Sequence, residues 1–179
     1  MGFLLFSGSA VAMPAHAEAP KAPSQPSYAV TLTAYNAVAA QTDGNPLETA
    51  SGAYSNPEVI AARSQDLADE LPFGTIIEID GSNASKESCG YDVVHPVIGY
   101  RVIEDTMNAR YTKRVDVLLG TKADYATTDK GMKNAAEMLG ICKGIVVRVV
   151  GHVDINRIPK TQNELAAIVG GVTKNIALK

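Results

Sequence analysis

From Tyr28 onward the chain is cut into short β-branched runs by clusters of Gly, Pro, Asn and Asp, and the intervals are too short for repeated β-α-β crossovers. Strand segments read at 28–35 (YAVTLTAY), 59–62 (VIAA), 75–79 (TIIEI), 115–119 (VDVLL) and 144–155 (GIVVRVVGHVDI). Residues 91–105 read as further strand material, broken at Pro96 and Gly99. Helical signals are few. Residues 64–71 suit a turn or two capped by Ser64. Residues 127–140 predict a helix stopped by Gly140, with Ala135, Ala136, Met138 and Leu139 facing the core and Met132 nearby. A last short helix is expected at NELAAIVGGV, and a polar hairpin-like loop at 80–90. Six short strands with one or two short helices predict a mainly β fold. A small closed barrel leaves no unpaired sheet edge and suits this pattern better than an open sheet.

At 179 residues the chain suits one compact domain. Residues 2–13 form an apolar run followed by AHA at 15–17, which reads as a secretory signal cleaved after Ala17. No Lys or Arg precedes the run, so the basic start of such a signal is lacking, and an uncleaved anchor or an accidental apolar start is the alternative. Residues 18–27 are a Pro/Ala-rich linker, 28–155 the folded domain and 156–179 a C-terminal extension. Export implies periplasm, outer membrane or cell wall, with no membrane span once the signal is removed. Cys89 and Cys142 are either two buried thiols or one disulfide, and an exported protein favours the disulfide. A net charge of -3 argues against general nucleic-acid binding.

The common nucleotide, zinc-protease and serine-hydrolase signatures are absent, and His16, His95 and His152 do not cluster in sequence. No metal and no cofactor is expected. The acidic residues carry more information. Asp43 lies in a long polar loop at 36–57, Asp105 closes one strand segment and Asp116 opens the next. Carboxylates converging in one cleft would push a pKa upward and yield a general acid near neutral pH. Taken singly, each aspartate reads as well as a turn cap or as a partner for Arg110, Lys113 or Arg114. Asn108 reads as a turn residue or a donor to a carboxylate, and Arg110 as a surface charge. Thr33, Tyr35, Thr42 and Ser51 would together suit a sugar-sized groove, although each alone is more simply structural.

TAYN at 33–36, QTDGNP at 41–46, TASG at 49–52, LPFGT at 71–75, EDTMNAR at 104–110 and VDVLLG at 115–120 occur in this order. Together they resemble the 3D (three-aspartate) domain family over roughly residues 30–150. The resemblance implies a six-stranded double-psi β-barrel, related to the barrel of membrane-bound lytic transglycosylase A, to RlpA-like proteins and to small muralytic proteins of spore-formers. It also implies that Asp105 and Asp116 share a cleft, with Asp43 as the third aspartate. Thr106, Asn108 and Arg110 of the same string would contact substrate. The implied activity is cleavage of the MurNAc–GlcNAc β-1,4 bond of peptidoglycan without water, by a monomer acting on glycan strands. A non-catalytic glycan-binding envelope domain and a water-using hydrolase are the alternatives. The chain departs from the family pattern at Leu139-Gly140, where many relatives carry an FG pair, and after Asp154. It carries no recognisable wall-anchoring module.

Overall fold

The computed structural model describes residues 25–42, 44–122, 124–127 and 131–177. The N-terminal segment that reads as a signal, most of the segment that reads as a linker, and Asp43 lie outside the described residues. The strands are β1 (Ser27–Tyr35), β2 (Ile60–Arg63), β3 (Thr75–Asp80), β4 (Arg101–Thr106), β5 (Arg114–Leu118), β6 (Asp124–Thr127), β7 (Gly131–Asn134) and β8 (Cys142–His152). The α-helices are α1 (Tyr91–Val94), α2 (Ala135–Leu139) and α3 (Gln162–Ala177). Six strands close into a mixed barrel in the order β1-β5-β2-β4-β3-β8, with β8 pairing back to β1. The β1/β5 and β2/β4 pairs are parallel and the other four are antiparallel.

Alternation along the strands builds the core. Val30 and Leu32 of β1 and Val115 and Val117 of β5 point into the barrel, where they meet Ala61, Ile77, Ile103, Ile145 and Val147. The residues between them face outward. A second apolar layer, with Ile60, Ile76, Val102 and Leu118, is covered by Leu165 and Val169 of α3. The C-terminal extension is therefore part of the packed fold. Gln162 at the start of α3 fixes it there: its Oε1 accepts from the Tyr100 amide at 3.0 Å and its Nε2 donates to the Tyr100 carbonyl at 2.8 Å.

Several expectations are corrected. Residues 91–97 are helical, as α1 and a following 3-10 turn (His95–Val97), because Val94 and Ile98 reach the core at a helical spacing of four. The 80–90 loop consequently leads into a helix and is no hairpin. The helix expected over 127–139 is reduced to α2; its earlier part, outside 128–130, belongs to the β6/β7 hairpin. Gly131 sits there at φ 70°, which a hairpin strand end accepts and a helix does not. The cap comes from Asn134, whose side chain accepts from the Ala136 amide. Ala135 and Leu139 are fully buried, Ala136 and Met138 half-buried, and Met132, on the hairpin, is 64% exposed. Ser64 makes no side-chain cap; its Oγ accepts from the Arg114 amide instead.

Cys89 and Cys142 are disulfide-bonded, with Cα atoms 4.7 Å apart. The bridge ties the loop before α1 to the start of β8, beside backbone bonds from Gly90 to Leu139 and from Ile141 to Ser88. Closing a loop of sequence separation 53 stabilises the fold by about 4 kcal/mol in the chain-entropy model. Among the described residues no helix is long and apolar enough to cross a membrane.

Candidate active site

Strand register brings the two described aspartates together. Thr33 of β1 lies opposite Asp116 of β5, Asp116 lies opposite Ala62 of β2, and Ala62 lies opposite Asp105 of β4. These four residues form one row across the outer face of the barrel. Two interstrand spacings place the backbones of Asp105 and Asp116 about 10 Å apart, with only the Ala62 methyl between them. A larger residue at 62 would fill the space that the two carboxyls face.

Asp105 reaches this row through a β-bulge. Ala61 pairs with Ile103 but Ala62 pairs with Asp105, so Glu104 is the extra residue. Without the bulge, strict alternation from inward-facing Ile103 would turn Asp105 into the barrel. Glu104 is left fully buried, and neither of its carboxylate oxygens has a hydrogen-bond partner. Burial pushes its pKa up, and the nearby Ser51 side chain and Gly74 amide offset only part of this.

The two aspartates are held differently. Asp105 is held by three hydrogen bonds: Tyr35 Oη donates to Oδ2 at 2.8 Å, and the Ala50 and Thr106 amides donate to Oδ1 at 3.0 and 2.8 Å. Burial raises the Tyr35 pKa, and the charge of Asp105 and the bond to it raise it further, so Tyr35 keeps its proton and remains a donor. Asp116 receives one side-chain bond, from Thr33 Oγ1 to Oδ1 at 2.8 Å. Its pKa is pushed up from 3.8 to about 6, first by burial and then by the charge of Asp105, against the opposing pull of Thr33 and Arg114. One carboxylate is thus fixed in orientation and the other is poised to hold a proton near neutrality.

Both lie in an open groove of about 1430 Å³. That exceeds the roughly 300–1,000 Å³ of a small-molecule pocket and suits a polymer. The long 36–57 loop forms one wall. It is anchored by Asn36, which donates to the Leu119 carbonyl, and by the Ala50 amide on Asp105. Thr33, Tyr35, Thr42, Thr106, Asn108 and Arg110 all line the groove. Thr42 Oγ1 bonds its own loop at the Val38 carbonyl. Ser51 is not brought to the groove; its Oγ meets Thr49 Oγ1 at 3.1 Å. Asn108 is a turn residue: its Oδ1 accepts from the Arg110 amide and its carbonyl from the Tyr111 amide. Sequence reasoning missed Tyr111, Arg114 and Phe73 in the lining, and Glu104 behind it. Tyr111 sits in the same connector as Arg110, Arg114 opens β5 directly after it, and their alignment on one wall depends on how that connector turns. Among the described residues, no three His, Cys, Asp or Glu side chains group as a metal site.

The raised pKa has a consequence for stability. A carboxyl whose pKa is higher in the folded protein contributes its full stability below pH 3.8 and loses it as pH rises through about 6, so above that range the ionised wild type is less stable than a form that cannot ionise. Asp116→Asn removes the titration at nearly constant shape. The variant is expected to be more stable than the wild type by about 3 kcal/mol at pH 7.5 and nearly equal to it at pH 3. Urea unfolding at the two pH values checks this; a stability difference that does not change with pH would contradict it.

The chain matches no model of a known protein family, and no curated protein matches it.

Proposed function

We propose that this chain is an exported peptidoglycan lytic transglycosylase built on a double-psi β-barrel. The observation that carries the reading is the pairing, in one polymer-sized groove, of a partly buried aspartate poised near pH 6 with a second aspartate held by three hydrogen bonds. Neither forms an ion pair with an arginine among the described residues, which favours chemistry over a neutralised structural pair. The two parallel strand pairs inside a closed six-stranded barrel support the double-psi topology. The ordered motifs and their resemblance to the 3D domain supply the substrate class.

In this mechanism the Asp116 carboxyl donates its proton to the glycosidic oxygen between MurNAc and GlcNAc. The bond from that oxygen to C1 of MurNAc breaks, and the GlcNAc hydroxyl leaves. Positive charge develops at C1 and the ring oxygen, where the fixed Asp105 carboxylate favours it. The Asp116 carboxylate then takes the proton of the MurNAc C6 hydroxyl as O6 bonds to C1. The ring closes to the 1,6-anhydro product, Asp116 is reprotonated, and no water is consumed. Asp43 is proposed as a further group holding substrate hydroxyls.

Clearing of a peptidoglycan suspension as a function of pH tests the division of roles. Activity is expected to fall above about pH 6, where Asp116 ionises. Asp105→Asn removes a neighbouring negative charge, so it should move that alkaline limb to lower pH. The move is partial, because burial contributes more than Asp105 to the shift. A limb displaced to higher pH would contradict the coupling between the two carboxyls, and loss of turnover at every pH would exchange their roles. Binding without clearing at any pH would make the domain a glycan binder.

A further inference from the structure

One wall of the groove is cationic. Arg110 and Tyr111, on the connector between β4 and β5, and Arg114, the first residue of β5, all line it. The guanidinium carbons of Arg110 and Arg114 each lie 4.8 Å from the Tyr111 ring centroid, and Arg110 Nη2 donates to Tyr111 Oη at 2.9 Å. Both cations therefore sit on one ring, no more than about 10 Å from each other. Among the described residues neither has an acidic group at ion-pair distance; the ion pairs found there belong to Arg148. Among the described residues Arg110 commits one guanidinium donor of five and Arg114 commits none, which leaves most of their hydrogen-bonding capacity facing the groove.

The connector is built to hold this arrangement. Asn108 closes a turn by accepting from the Arg110 and Tyr111 amides. Lys113 follows in the left-handed region at φ 49°, a costly conformation for a side-chain-bearing residue. The Asp66 carboxylate secures it by accepting from the Lys113 amide at 3.0 and 3.2 Å. Two arginines fixed in advance on an aromatic ring lose little side-chain freedom on binding, which favours a planar anion. The chain as a whole carries a net charge of -3 and the groove floor holds two aspartates, so this wall is a local exception and not part of a general basic surface.

We infer that the Arg110–Tyr111–Arg114 wall is a subsite for a carboxylate carried by the glycan strand. The inference rests on the peptidoglycan reading of the groove and adds a selectivity to it. A plain β-1,4-linked GlcNAc polymer is uncharged. A peptidoglycan strand offers carboxylates from two sources: the lactyl group of MurNAc where the peptide has been removed, or the peptide itself where it is present.

The test is a comparison of affinities, measured with the full chain in the Asp116→Asn background so that strands stay intact. The three probes are a chitin hexasaccharide, peptide-free glycan strands and peptide-bearing strands. At low salt at least one carboxylated strand should bind about tenfold or more tightly than the hexasaccharide, the range of one or two charge-assisted bonds. The better of the two identifies the lactyl or the peptide carboxylate as the anchored group. Arg110→Gln combined with Arg114→Gln should bring the ratio of affinities close to one. Arg110→Lys with Arg114→Lys, which keeps the charge and loses the fork, should retain part of it and guards against a folding defect in the first pair. A preference that survives the double glutamine variant overturns the subsite. Equal binding of all three probes by the arginine-containing protein overturns it while leaving the peptidoglycan reading in place. Failure of every probe to bind removes both.

Discussion

Asp116→Asn is expected to lower the rate of peptidoglycan cleavage by at least ~100-fold, the usual scale for loss of a general acid. The substitution changes one atom of the side chain, and the Asn oxygen still accepts the bond from Thr33 Oγ1 that Asp116 accepts at 2.8 Å. Fold and groove are retained, and stability rises at neutral pH because a buried charge is gone. Glycan binding survives, since the groove walls are untouched. The combination of a more stable protein, intact binding and lost turnover is hard to produce by any route except removal of a proton donor. Initial rates of muropeptide release from the two proteins, set beside their affinities for the same strands, measure it. A variant retaining near-wild-type release would show that Asp116 is not the acid.

Arg101→Met should destabilise the protein by about 3 kcal/mol, because several buried carbonyls lose their donor at once. Arg101 is fully buried at the start of β4. Its guanidinium donates to the carbonyls of Pro57, Ile98, Val97 and Leu118 at 2.6–3.0 Å, with a longer bond to Ile60. One side chain thus pins the end of the long loop, the 3-10 turn after α1, and strands β2 and β5 around the head of the strand that carries Asp105. Burial lowers its pKa to about 9, still well above physiological pH, so the charge persists. Methionine fills the space but leaves these carbonyls without their donor. Lysine offers three donors on a flexible stem and cannot span the same set, so Arg101→Lys should recover only part of the loss. Urea unfolding midpoints at constant m-value decide the matter. A shift worth less than 1 kcal/mol would mean that the carbonyls find other partners.

Much of the barrel is legible in the sequence because strand alternation and turn chemistry act locally. β1, β3, β5 and β8 are visible as β-branched runs bounded by Gly, Asn or Asp. Residues 91–97 mislead because Tyr91, Val93, Val94 and Val97 carry strand propensity, while packing against α2 and the core selects a helix. The 127–139 segment misleads in the other direction: its Ala, Met and Glu favour helix, yet Gly131 and the cap at Asn134 confine the helix to its last five residues. Asp105 and Asp116 are visible as acidic residues at strand ends. That they face each other over Ala62 depends on a bulge at Glu104 and on the pairing of β2 with two strands distant in sequence, parallel to β4 and antiparallel to β5, neither of which leaves a local signature. The roles of Arg101, Tyr111 and Arg114 are equally hidden, since an arginine that pins carbonyls, one that stacks on a ring and one that is merely solvated look alike in sequence.

Mass analysis of the fragments released from purified sacculi tests the central claim most directly. Proton transfer to and from Asp116 without water predicts fragments that end in 1,6-anhydro-MurNAc, each lighter by one water than its hydrolytic counterpart. Fragments ending only in reducing MurNAc would contradict the account and make the groove that of a hydrolase.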